Sequence, residues 1–319
     1  MKKSVILVLT AVLVLSSCSK PKGFLVGVYS KAKPETTPYG MVFIPRGSFN
    51  MGPNDQSITW SMQPKQKTVS IDAFWMDQTE ITNGEYRQFV NWVRDSIALT
   101  FLSRMSEETE AAKYFTTVKI YGQEEEDTIL NWKAKIPWTV KWKEGDNIAE
   151  EIYEAINQMY FNGQDRIEGR ELNTRILNYS YEWVNYDQAA LPINQFNPYT
   201  SSYHKNARVR IDSSFMRNGA IVDTIIVKPL RHRRDLVSSR IINIYPDTMC
   251  WIAEFTYSFN EPAMQNYFAH PSNGEYPVVG ISWDQAHAFC HWRTQLYKSV
   301  PNLPRAQEYR LPTEAEWEY

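Results

Sequence analysis

The chain has 319 residues, 43% of them hydrophobic and eleven of them tryptophan, enough apolar material for one large domain or two ordinary ones. Lys and Arg total 34 against 36 Asp and Glu, a formal charge of −2, which removes any general electrostatic reason to bind nucleic acid. Beyond Cys18 only Cys250 and Cys290 remain.

Residues 1–17 carry the three regions of a secretion signal: Lys2-Lys3, an apolar run from Ser4 to Leu15, and the small pair Ser16-Ser17. The apolar run rises only ~18 Å as a helix against a hydrocarbon core of ~30 Å, so a transmembrane span is not expected. Leu15-Ser16-Ser17-Cys18 resembles the lipobox of bacterial lipoproteins. That resemblance implies that Cys18 is the lipid-attachment site and the mature N-terminus, its lipid including palmitate. An ordinary cleaved signal, with Cys18 incidental, is the rival. Each buried acyl CH₂ contributes ~0.8 kcal/mol, so several chains anchor stably without a transmembrane helix. Ser19 at the next position favours the outer membrane. Residues 18–38, with Pro21, Pro34 and Pro38, read as a tether.

Globular character is expected over 39–319. Met41 to Ile44 and Phe49 to Met51 flank Pro45-Arg46-Gly47-Ser48 and predict a hairpin. Thr68 to Asp77 predicts one strand with Val69 and Ile71 on one face, bulged or bent at Ala73-Phe74 where the alternation shifts. Thr82-Asn83-Gly84-Glu85 fits a capping box, and Tyr86, Phe89, Val90 and Val93 then form a helical apolar stripe. A long middle region follows, with a helix around Ile148 to Tyr160. Leu177, Tyr179, Tyr181 and Trp183 alternate onto one face, and strand-like runs lie at Ala220 to Lys228, Arg240 to Tyr245 and Met249 to Tyr257. Pro277 to Ile281 reads as a buried-type strand. Ser282-Trp283-Asp284-Gln285 then opens a second capped helix, with Trp283, Ala286, Phe289, Cys290 and Leu296 as its apolar face. Thr313-Glu314-Ala315-Glu316 opens a third.

Three blocks resemble the formylglycine-generating-enzyme (sulfatase-modifying factor) family: Ile44 to Gly52, Phe74 to Phe89, and Pro277 to Trp292 continued by Arg310 to Tyr319. The resemblance implies an α+β, C-type-lectin-like fold. The family pattern runs on past the position of Tyr319, so the expectation is a sulfatase-modifying-factor-like domain whose C-terminal part is missing from this chain. Over nearly the whole mature length, including Asp235 to Thr248 and Phe255 to Pro262, the sequence is also similar to the gliding-motility lipoprotein K group of that family. That similarity implies a large insertion at about 95–270, far longer than a connection needs. It further implies an outer-membrane lipoprotein facing the periplasm, a non-catalytic subunit of the type IX secretion and gliding-motility ring. Its partners would be further copies of itself and the GldN/PorN-type N protein of that system. The alternative is a secreted oxidase of the formylglycine-generating type.

Active members of the family bind copper through paired cysteines close to the C-terminal end. Cys250 and Cys290 lie elsewhere, so no cofactor and no catalytic residue is expected here, and no family calcium site is carried over. Cys250 and Cys290 could pair in an oxidising compartment; their large apolar neighbours fit buried thiols equally well. His287 and His291, four apart on a helix, have the spacing of a metal pair or of a plain helix surface. Glu314, Glu316 and Glu318 sit in a first helical turn, which favours capping over acid–base work. Arg231-His232-Arg233-Arg234 is the strong basic cluster and Glu124-Glu125-Glu126-Asp127 the acidic one. Solvated loops explain both, but Arg231, Arg233 and Arg234 are the candidate partner-binding residues if the protein assembles. Trp138, Trp142, Trp183 and Trp251 read as core.

Overall fold

The N-terminal ribbon is built from four short strands, β1 (Met41–Ile44), β2 (Gly47–Met51), β3 (Lys67–Ile71) and β4 (Phe74–Asp77). The structure, a computed structural model, describes residues 37–52, 66–119, 126–140, 145–166, 169–251, 264, 266–300 and 307–319. All of these from Gly40 on belong to one unit. The signal and Cys18 lie outside the described residues, as do Glu124, Glu125, Trp142 and Phe255 to Pro262.

The expected hairpin between the first two strands does not form. β1 pairs with β4 and β2 with β3, both antiparallel and in one continuous register. Ile44 faces Phe74 and Gly47 faces Ile71, so Pro45-Arg46 and Asp72-Ala73 face each other at equal length. The break at Ala73 is therefore a bend without an extra residue. Pro45 supplies the physical reason, since it has no N–H to give the ladder and interrupts both halves at one point.

Helix α1 (Asn83–Leu102) carries its predicted capping box. The Glu85 amide donates to Thr82 Oγ1 at 3.2 Å and the Thr82 amide to Glu85 Oε2 at 2.9 Å. Tyr86, Phe89, Val90 and Val93 are all buried, as their spacing requires. The short α2 (Glu108–Ala111) and the hairpin β5 (Phe115–Lys119)–β6 (Glu126–Leu130) follow. Next comes α3 (Asn147–Asn157), capped by the Asp146 carboxylate on the Ala149 amide at 3.1 Å and packed on α1 through Ile156.

Strand β7 (Asn178–Val184) buries Tyr179 and Tyr181 as the alternation predicted. After α4 (Tyr186–Ala190) comes a ten-residue hairpin, β8 (Arg208–Arg217) and β9 (Ala220–Pro229), then a 3-10 turn at Arg233–Leu236 and β10 (Val237–Asn243), which pairs with β7. The β8–β9 turn is Asn218-Gly219 with φ of 52° and 79°, both positive as a twisted two-residue hairpin needs. That dipeptide was a hairpin signal in the sequence; the expectation caught β9 and missed β8.

Two further readings need correction. Pro277 to Ile281 is not a strand: only Pro277 bridges Thr82, and Gly280 turns the chain at φ +78°. Cys250 and Trp251 are helical rather than extended. Helix α5 (Trp283–Lys298) has its capping box, but its buried residues are Ala288, Phe289, Trp292 and Thr294. Trp283 is 65% exposed and Leu296 47% exposed, because the stripe that faces the core runs through 288, 289 and 292. The last helix, α6 (Glu314–Glu318), is capped by Thr313 and Glu316 as predicted.

One aromatic core ties these parts together. Tyr86 and Phe89 of α1, Leu177, Tyr179 and Tyr181 at β7, and Phe289 and Trp292 of α5 form a single cluster. Phe89 meets Tyr179 edge-on at 5.1 Å and Trp292 at a tilt of 36° and 5.2 Å, pairs that contribute ~0.5–1.5 kcal/mol each beyond area burial.

Candidate functional site

The densest group of titratable side chains lies where α5 rests on β7. The β pleat sends Tyr179 and Tyr181 to the same side, and one helical turn separates His287 from His291, so the two pairs meet in register. Tyr181 Oη lies 3.1 Å from His287 Nδ1, and Tyr179 Oη lies 3.1 Å from His291 Nδ1. Trp283 stacks on the His287 ring at 5.1 Å, and Trp183 meets it edge-on at 6.0 Å. Arg240 of β10 is ion-paired with Asp284 beside them. His287 and His291 are thus wedged between helix and sheet rather than set on a free helix surface.

Burial governs the protonation of this group. It raises both tyrosines, Tyr181 to about 12, and lowers both histidines below the usual imidazole range. For His287 the Asp284 carboxylate opposes that push and Arg240 adds to it. Neutral imidazoles can accept from tyrosine hydroxyls, which is the pairing the distances allow. Among the described residues, no three His, Cys, Asp or Glu side chains gather around a point that could hold a metal ion.

Cys250 and Cys290 form no disulfide. Burial pushes the Cys290 thiol up to about 11, so at neutral pH it is protonated. Cys290 sits on α5 inside the packed face, one turn before Thr294, whose hydroxyl donates to the Cys290 carbonyl at 2.8 Å. Next to it, Arg293 makes a two-point ion pair with Asp77 at 2.7 and 2.8 Å and lies over the Tyr309 ring at 4.5 Å, clamping β4 to α5.

The acidic turn of α6 does structural work. Glu316 accepts from Arg310 at 2.7 and 2.5 Å and from the Thr313 amide at 2.8 Å. Arg310 first, then Thr313, holds its carboxyl down at about 2. The Glu318 carboxylate takes the Gly52 amide at 3.2 Å, which pins α6 to the N-terminal ribbon.

Arg231, Arg233 and Arg234 are exposed on the turn between β9 and β10. The turn is fixed by Asp235, which accepts from the Arg231 and His232 amides at 2.9 and 2.8 Å and pairs with Lys228 at 3.1 Å. Those two amides, His232 first, hold its carboxyl at about 2. Trp138 lies under Arg94 at 4.6 Å and packs against the cluster between α1 and α3, while Trp251 meets Tyr267 edge-on at 5.5 Å. An open cleft of about 440 Å³ beside β10 is lined by Arg175, Asn178, Asn243, Tyr245 and Asp247.

The described architecture is mixed α and β with no closed barrel among the described residues. The sulfatase-modifying factor enzyme 1-like domain matches residues 28–164 and 244–319, about two thirds of the chain. The chain belongs to the sulfatase-modifying factor family. The formylglycine-generating enzyme of Bos taurus is 44% identical over 54 residues, which is 17% of this chain and 14% of that protein. Its counterpart in Mus musculus is 39% identical over 51 residues, 16% of this chain and 14% of that protein. These matched stretches are thus a small part of either curated relative. No solved structure matches the chain. The stretch left between the two matched segments, 165–243, holds β7 to β10. The histidine–tyrosine seam therefore joins a family helix to a strand the family pattern does not include.

Proposed function

We propose that this sulfatase-modifying factor protein is a non-catalytic structural lipoprotein, held at the periplasmic face of the outer membrane through lipid on Cys18. It is a subunit of the ring of the type IX secretion and gliding-motility machinery, assembling with further copies of itself and with the N protein of that system. The observation that carries this reading is the folded segment 165–243, inserted into a family domain and bearing surface that the core does not use. Ile225 and Val227 of β9 are 49% and 61% exposed, and the basic turn follows them directly. Exposed apolar residues beside arginines are typical of protein contact surfaces.

The test has two arms. Cys18→Ala should lose incorporation of labelled palmitate and no longer fractionate with the outer membrane; unchanged labelling and fractionation would place the anchor elsewhere. The intact lipoprotein should co-purify with the N protein, and absence of both partners' co-purification from solubilised membranes would count against the ring role.

A second reading is a formylglycine-generating enzyme, favoured by the names of the two curated relatives. It predicts copper-dependent oxidation of a cysteine in a sulfatase peptide by purified protein. Turnover above a metal-free control would decide for the enzyme and against the scaffold.

A further inference from the structure

We infer that two copies of this chain join edge to edge, β9 of one pairing antiparallel with β9 of the other into a continuous sheet. The contact lies wholly within the inserted segment, goes beyond the scaffold reading, and holds for an enzyme as well.

The turn sets which backbone groups of β9 point outward. Asn218 and Gly219, both at positive φ, make a two-residue turn, so Arg217 and Ala220 exchange both of their hydrogen bonds. Antiparallel pairs alternate. Val222, Thr224, Ile226 and Lys228 therefore bond to β8, while Ile221, Asp223, Ile225 and Val227 turn their N–H and C=O groups away from it. Three other bonds agree with this phase. The Leu230 amide donates to the Ala207 carbonyl at 3.0 Å, inside the hairpin. On the far side of β8 the Arg210 amide donates to Gln188 Oε1 at 3.2 Å and the Asp212 amide to Ser238 Oγ at 3.3 Å. The outer edge of β8 is thus occupied. Among the described residues, no backbone bond reaches Ile221, Asp223, Ile225 or Val227 on the outer edge of β9.

Edge strands ordinarily carry a device against further pairing, such as a proline, a bulge or a free charge. β9 lacks them. Its register with β8 runs unbroken from Ala220 to Pro229, and the proline comes last. Lys228 is engaged by Asp235 at 3.1 Å, and Asp223 accepts from the Ser214 hydroxyl at 2.5 Å. Ile225, Ile226 and Val227 are all exposed. A long apolar edge left in this state is a template for another strand.

Self-complementarity selects a second copy as that strand. A twofold axis at Ile225 sets Ile225 against its counterpart and Asp223 against the second copy's Val227. Every one of these residues presents outward groups, so each pair exchanges two hydrogen bonds. Ile221 donates one more to the second copy's Pro229 carbonyl. The charges agree with this register. Arg208, Arg210, Asp212 and Asp223 share the hairpin face of Ile225 and Val227, two cations against two carboxylates. Arg210 stands beside Val227 across the hairpin. In the paired sheet it faces the second copy's Asp223 over that one small side chain, two strand spacings or ~10 Å away. The arginine stem lies along the valine and brings the guanidinium to the carboxylate. Within its own chain Arg210 has no carboxylate at ion-pair distance among the described residues, and the axis makes the new pair twice. An axis at Thr224 would set Asp223 diagonally against its own counterpart, and one at Ile226 would oppose it to Pro229, which has no N–H. The contact is isologous and stops at two copies, so it leaves other assembly surfaces free.

The experiment uses the full-length chain in detergent, with sedimentation velocity over a concentration series at about 50 and about 500 mM NaCl. Ile225→Pro removes an outward N–H and no bond to β8, and circular dichroism verifies its fold. It should weaken dimerisation at least about tenfold, since both copies carry the loss. Arg210→Asp and Asp223→Arg should each weaken it alone, more so at the lower salt. Mixed in equal amounts, or combined in one chain, they should restore it. Hydrogen exchange over residues 220–229 should slow at concentrations where the wild type is dimeric and stay fast in Ile225→Pro. Undiminished dimerisation of a folded Ile225→Pro variant, no recovery on combining the charge swap, or a wild type monomeric throughout overturns the inference. So does dimerisation that requires the N protein, which would assign the edge to a strand of that partner. If Ile225→Pro does not fold, the charge swap decides alone. Each of these failures leaves the scaffold reading standing.

Discussion

Tyr86→Phe should lower stability by ~1–2 kcal/mol, although it removes one oxygen and changes no packing. Tyr86 is 0% exposed, stacks on Phe289 at 5.6 Å, and donates its hydroxyl to the Ile244 carbonyl at 2.9 Å. Phenylalanine fills the same space, so the aromatic contacts stay. What is lost is a buried hydrogen bond, and the Ile244 carbonyl is left in a site where water does not reach. An unsatisfied buried acceptor costs ~1–3 kcal/mol, partly offset because the hydroxyl itself no longer has to be desolvated. For a unit of this size each kcal/mol moves Tm by ~2–4 °C, so the expected drop is ~2–8 °C. Urea unfolding followed by tryptophan fluorescence gives the same quantity from the midpoint. A midpoint that does not move, or that rises, would show that the bond between α1 and the end of β10 contributes nothing, and would refute the reasoning. Tyr86→Ala, which opens a cavity, should cost ~3–5 kcal/mol and so separates packing from hydrogen bonding.

Gly280→Ala should destabilise by more than ~1 kcal/mol in urea titration, since φ is +78° and an added Cβ would run into the Asp247 carbonyl; Gly40→Ala, at φ +77° with nothing near, should cost less. Stability should also fall on acidification below about 6.5, because burial lowers His287 and His291 in the folded chain and the unfolded chain takes up protons first. The loss should level off once pH passes below the lowered folded values. His287→Gln with His291→Gln should flatten the difference between urea midpoints at pH 7.5 and 5.5, and an unchanged difference would assign it to other groups.

Much of the local structure was legible because its causes are local. The capping boxes at Thr82, Ser282 and Thr313 need only four consecutive residues, and all three formed. The β7 alternation was equally readable, since burial on one face imposes a period of two. The pairing of β1 with β4 was not, because it depends on which strand returns past Pro45, a non-local matter. Pro277 to Ile281 misled through its β-branched composition, whereas Gly280 at positive φ was the residue that decided. The histidines carried no signal of their own partners: Tyr179 and Tyr181 lie more than a hundred residues away. The apolar face of α5 is wider than its buried stripe, because Trp283 stacks on His287 and stays 65% exposed instead of joining the core.

The composition of the core bears on how the segment 165–243 can be studied. Leu177, Tyr179 and Tyr181 belong to it, yet they share one cluster with Tyr86, Phe89, Phe289 and Trp292 from the matched family segments. Removing 165–243 would therefore strip one wall from the family's own core, leaving Phe89 without Tyr179 and the α5 histidines without their hydroxyl partners. Losing several large buried side chains at ~3–5 kcal/mol each exceeds the 5–15 kcal/mol by which domains are ordinarily stable. A deletion that abolished partner binding would then report unfolding rather than a lost contact. Substitutions on the outer face of β8–β9 avoid that confusion. Val209 and Ile211 of β8 point to a separate small cluster with Leu230 and Leu236, while Arg208 and Arg210 alternate outward from it. Reversing the outward residues leaves both clusters intact, so a change in assembly after such reversals is attributable to the surface alone.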